Sequence, residues 1–139
     1  MSFPVITATL AAFFIILQQL LVLNVGLHRA KAGPGVGLSD DQHLERKIRQ
    51  HGNLAENSGI LLIVLALTEM YGAPTGVVMT FAIVFAVARV GHALAFSSLS
   101  GSHGAEGSKI YTAFRGVGAM GTVFGGIGLG GYLAYLILA

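Results

Sequence analysis

The chain has 139 residues, of which 54% are hydrophobic and only 10% charged, and its mean hydropathy is +0.76. Soluble domains carry about 25% charged residues, so this composition excludes an ordinary water-soluble globule and points to a membrane protein. There is no Cys, which excludes disulfides and a protein-borne thiol nucleophile. A net charge of +2 without a block of Lys/Arg offers no nucleic-acid surface.

Taken in chain order, the first predicted helix covers about 3–31. Residues 1–27 carry no charge, and a span needs about 20 apolar residues. The stretch reads as a span rather than a cleaved leader, because a positive n-region is missing and the apolar run is long. Gly33-Pro34-Gly35 breaks it, and Ser39-Asp40-Asp41 offers N-cap chemistry for a second helix over about 41–71. That helix begins polar, turns apolar after Asn57, and ends at the turn signal Gly72-Ala73-Pro74-Thr75-Gly76. A third helix is expected over about 76–97, then a Ser/Gly-rich loop, then a fourth over about 109–138. The expected fold is therefore an all-α integral membrane protein, a four-transmembrane-helix bundle forming one domain over 1–139.

Orientation follows from the positive charges. Arg29, Lys31, Arg46, Lys47 and Arg49 flank the first loop, and Lys109 and Arg115 flank the third. Both charged loops should be cytoplasmic and both termini outside, as in a bacterial inner membrane. The fourth helix carries eight glycines from Gly116 to Gly131. Gly121/Gly125 and Gly126/Gly130 have the spacing that lets helices approach closely, within the chain or between chains.

Ionisable groups inside membrane helices are costly and need a partner or a task. Arg49, Asn53 and Glu56 share one face of helix two. Glu56 lies about 24 Å from the outer end, just inside the cytoplasmic boundary. Arg89 and His92 share a face of helix three, with Arg89 roughly 20 Å deep. With Arg29 and Arg115, all four helices deliver polar groups to the same third of the membrane. Four arginines against one nearby carboxylate leave surplus positive charge, which an anionic ligand would complete. Snorkelling to lipid headgroups and a purely structural network are the plainer readings. Glu69 is expected simply to meet water at the outer end, His28 to be interfacial and His103 solvated. No metal site is expected, because no His or carboxylate set has ligand spacing.

The run Glu45-Arg46-Lys47-Ile48-Arg49-Gln50-His51-Gly52-Asn53-Leu54-Ala55-Glu56 resembles the helix-two signature of the MAPEG family, the membrane-associated proteins in eicosanoid and glutathione metabolism. Ala88-Arg89-Val90-Gly91-His92-Ala93 resembles its helix-three pattern, and Gly26-Leu27-His28-Arg29 the end of its first helix. Phe114-Arg115-Gly116-Val117-Gly118 resembles the start of helix four in bacterial members. The resemblance implies a homotrimer that binds glutathione between neighbouring subunits, as co-substrate for a lipophilic electrophile entering from membrane lipids. Arg29, Arg49, Asn53, Glu56 and His92 match glutathione-contacting positions, with Arg89 beside them, and Arg115 matches the arginine that stabilises the thiolate. The implied activity is a glutathione transferase or peroxidase. A non-catalytic lipid-binding or scaffold protein on the same bundle is the alternative. Four departures bear on that choice. Phe96 stands where some eukaryotic members have a Tyr that contacts glutathione. Gly116 and Ala119 stand where one member has a Ser and a Tyr near the sulfur, and Gly52 replaces an Arg. Tyr111, one turn before Arg115, offers a hydroxyl in their place.

Overall fold

The computed structural model describes residues 2–32, 35–37, 40–99 and 109–139. Its helices are α1 (Val5–Ala32), α2 (Gln42–Met70), α3 (Thr75–Ala95) and α4 (Lys109–Leu138), each long and apolar enough to span a bilayer. The four spans and their limits agree with the expected ones to within two residues. The chain is an all-α integral membrane protein.

The helix ends show why the boundaries were legible. Asp41 caps α2, its Oδ1 accepting from the backbone N–H of His43 at 2.9 Å and of Leu44 at 3.1 Å. At the other end Gly72 adopts φ 97°, a conformation that glycine takes without a Cβ clash. Its N–H donates to Glu69 O and that of Ala73 to Thr68 O, closing a Schellman turn on the last carbonyls of α2. The end of α1, the start of α2, the end of α3 and the start of α4 thus lie at one end of an up-and-down bundle, and the Gly72 turn lies at the other.

Lipid tails are as apolar as leucine, so the helices associate by packing and hydrogen bonding rather than by expulsion of water. The apolar core draws Leu10 and Phe14 from α1, Leu61 and Leu65 from α2, Phe85 from α3 and Leu129 from α4. The most intimate pair is α3 with α4, and α1 lies chiefly on α2. Glycine makes the α3–α4 seam. A Cβ added at Gly118 would stand 2.9 Å from Ala88 O and His92 N; one at Gly121, 2.9 Å from Ala88 Cβ; one at Gly125, 2.8 Å from the Phe85 ring. The Gly121/Gly125 pair is thus a contact within the chain. Gly126 only touches Leu61, and Gly130 has open space around it, so the second pair serves no such contact here.

One expectation is corrected, and a second gains detail. Glu69 does not simply meet water: its carboxylate accepts from the N–H of Ile6 and Thr7 at 2.9 Å each and from Thr7 Oγ1 at 2.7 Å. It caps α1 from the neighbouring helix, because the first N–H groups of a helix have no intrahelical acceptor. His28, expected to be interfacial, is held by side chains at the end of α1, its Nε2 standing 2.6 Å from Asp41 Oδ2 and its Nδ1 3.3 Å from Lys47 Nζ. An ammonium only donates, so Nδ1 is the acceptor and Nε2–H donates to Asp41. That hydrogen bond, followed by the one from the Leu44 N–H, holds the Asp41 carboxyl below the usual carboxylate range. His103 lies outside the described residues.

Candidate functional site

At the charged end, the first half of α2 leans across the C-terminus of α3 and the start of α4. The last carbonyls of α3 lack helical partners, and α2 supplies them. Arg46 Nη1 donates to Phe96 O at 3.0 Å and Ser97 O at 2.8 Å, and Gln50 Nε2 donates to Ala93 O at 2.6 Å. A cation at a helix C-terminus also meets the negative end of its dipole. These contacts set the register of α2 against α3.

Two open cavities flank the polar face of α2. One, of about 310 Å³, is lined by Glu45, Arg46, Arg49, Asn53, His92, Phe96 and Arg115. The other, of about 220 Å³, is lined by Glu45, Arg49, Gly52, Asn53 and Glu56 together with Ile48. Glu45, Arg49 and Asn53 therefore form a shared wall. The larger cavity holds three arginines against one carboxylate, an electropositive lining suited to an anion.

The far wall is a stack. His92 lies against Phe96 with ring centroids 5.0 Å apart and planes 16° apart, and the Arg115 guanidinium sits 5.5 Å from the Phe96 ring centroid. Phe96 thus supplies a π-face to Arg115. His92 is 8% exposed, and its Nδ1 is buried without a hydrogen bond among the described residues. A buried ring nitrogen left in that state is costly, and a ligand donor or an ordered water in the cavity relieves it.

The sequence-selected residues do not all converge. Arg49, Asn53, His92 and Arg115 line one cavity, and Glu56 lines the adjoining one. Arg29 lines neither, and its Nη1 donates to Gly37 O at 3.1 Å in the α1–α2 connection. Arg89 lines neither and is 2% exposed. It braces neither Glu56 nor His92. Nη1 donates to Asn53 O at 3.1 Å and Oδ1 at 2.5 Å; Nη2 donates to Gly118 O at 2.9 Å and to Thr122 Oγ1. The Thr122 hydroxyl passes its own proton on to Gly118 O at 2.7 Å. Sequence reading missed Glu45, Arg46 and Thr122. Glu45 was findable, since it stands one turn before Arg49 on the same face; Arg46 and Thr122 gave no signal beyond polarity.

These features define a four-helix membrane protein with a cationic cavity at one end. The MAPEG family model matches residues 7–135, and the chain belongs to the MAPEG family. No curated protein and no solved structure matches it.

Proposed function

We propose that the protein is a membrane-bound, glutathione-dependent transferase or peroxidase acting on hydrophobic electrophiles. The observation that carries this reading is the convergence of Arg49, Asn53, His92 and Arg115 on one electropositive cavity in a chain of this family. Glutathione brings two carboxylates for the arginines and an ammonium for Glu56 or Glu45. It also brings the thiol that a chain without Cys lacks.

In this reading Arg115 is the catalytic residue. A guanidinium beside the sulfur stabilises the thiolate, the nucleophilic form. The thiolate then attacks the electrophilic carbon; a carbon–sulfur bond forms, and the leaving group departs with the electron pair. The Phe96 face holds Arg115 in place, a task for which a phenyl ring suffices where the family's Tyr is absent. Arg29 stands outside the cavity of its own chain. A homotrimer in which a neighbouring chain's Arg29 closes the site accounts for that position, with the charged loops on the cytoplasmic side.

The test is calorimetric titration of glutathione into the detergent-purified protein, with turnover of a hydrophobic aryl halide as the second readout. Wild type should bind, Arg49→Ala and Glu56→Gln should bind about tenfold or more weaker, and Arg115→Ala should bind without turning over. Wild type that binds no glutathione overturns the reading. Binding without conjugation or reduction of any electrophile selects the non-catalytic lipid-binding or scaffold alternative.

A further inference from the structure

Asn53 is the one residue joined both to the buried Arg89 and to both cavities. A guanidinium has donors only. With Arg89 Nη1 at 2.5 Å, the amide must turn its oxygen toward Arg89, since the flipped amide would set one N–H group against another. Nδ2 then remains for the cavity side, and it makes no hydrogen bond among the described residues. Arg89 itself is pinned. Its second arm is held by Gly118 O and Thr122 Oγ1 on α4, and no carboxylate pairs with it among the described residues.

We propose that Arg89 is a positioning residue that fixes the polarity of Asn53, so that the shared wall offers an N–H donor rather than an acceptor. The inference rests on the glutathione reading and deepens it. An acceptor oxygen of the ligand, a carboxylate or a peptide carbonyl, is directed to Asn53, and the ligand's ammonium is turned away toward Glu45 and Glu56. Arg89 does this without touching the ligand. Its charge, met by carbonyl and hydroxyl dipoles and no carboxylate among the described residues, also leaves a positive potential behind the wall.

A double-mutant cycle tests it on the full chain in detergent, with glutathione as the probe. Asn53→Ala and Arg89→Gln should each weaken binding about tenfold or more. The double variant should be no weaker than Asn53→Ala by more than about twofold, because residues acting through one another are not additive. Additive losses overturn the proposal. Should Arg89→Gln fail to fold, Asn53→Asp takes its place: Arg89 then faces a carboxylate, the melting temperature is kept, and glutathione affinity is lost. An Asn53→Asp protein that binds as wild type overturns the proposal too.

An arm without glutathione separates this inference from the functional reading. In protein labelled with ¹⁵N at asparagine, the Asn53 side-chain amide signal, identified by its loss in Asn53→Ala, should shift in Thr122→Val and in Arg89→Gln. Signals that stay put overturn the positioning role even where glutathione binds. Signals that shift in a protein that binds no glutathione uphold the positioning and overturn the functional reading instead.

Discussion

Two charged side chains of the bundle, Glu69 and Arg89, are held by dipoles, and they sit at opposite ends. Glu69 accepts from Ile6, Thr7 and the Thr7 hydroxyl. Arg89 donates to Asn53, Gly118 and Thr122. Glu69 joins the two helices that form one pair, α1 and α2, by supplying acceptors to orphan N–H groups. Arg89 joins α2 to the other pair, α3 and α4. The difference lies in what surrounds them. Both oxygens of Glu69 are used, and no other charge stands in its contacts among the described residues, so the clasp is closed. Around Arg89 the accounting stays open: its own Nε, Arg46 Nε and His92 Nδ1 are buried without partners among the described residues, beside a cavity with surplus arginine. A satisfied charge is a fastener, whereas a cluster with unpartnered guanidinium donors and a bare ring nitrogen is a binding site in waiting.

The largest expected effect concerns the backbone that Arg89 grips. Gly118→Ala forces a Cβ against Ala88 O and His92 N, and α3 and α4 must part, at about 2–3 kcal/mol of stability. Unfolding in detergent should show that loss, while Gly130→Ala, with open space around it, unfolds as wild type. Equal behaviour of the two variants would break the account of the seam.

Binding should separate the two ends next. Arg49 is exposed and makes no hydrogen bond among the described residues, so Arg49→Ala should leave the melting temperature alone. Its glutathione affinity should drop by about 1.5–3 kcal/mol, the range for a charge-assisted hydrogen bond. Glu69→Gln should do the reverse. Its new NH₂ group faces donors that need an acceptor, so stability falls by about 1–2 kcal/mol while glutathione binding holds. A Glu69→Gln protein with impaired binding would show that the closed clasp also serves the site.

The smallest effect sharpens the comparison at the α1–α2 corner. The Asp41 carboxyl titrates below its unfolded value because His28 and the Leu44 N–H bond to its charged form. Its contribution is therefore present in full above about pH 4, the range of an unperturbed Asp, and is lost as pH falls through the folded value. Melting temperatures followed downward through that range should decline in wild type, and Asp41→Asn should flatten part of the decline. Parallel curves would remove Asp41 from the acid limb.

Four spans, their limits and the clustering of charge at one end were all legible in the chain. Helix limits rest on local chemistry: the Asp41 cap and the Gly72 turn act on their own neighbours. The shared face of Arg49, Asn53 and Glu56 follows from helical periodicity alone. What lay beyond reach was the destination of each long side chain. Arg89 was expected beside the ligand because it is deep and cationic; that its two Nη groups meet Asn53, Gly118 and Thr122 was not legible. Glu69 was expected in water because it is near a helix end, yet the end it caps belongs to another helix. Periodicity gives the face a residue stands on, and depth follows from rise per residue. Which dipoles meet a side chain depends on how far one helix slides along another, and here the glycine seam of α4 on α3 decides that.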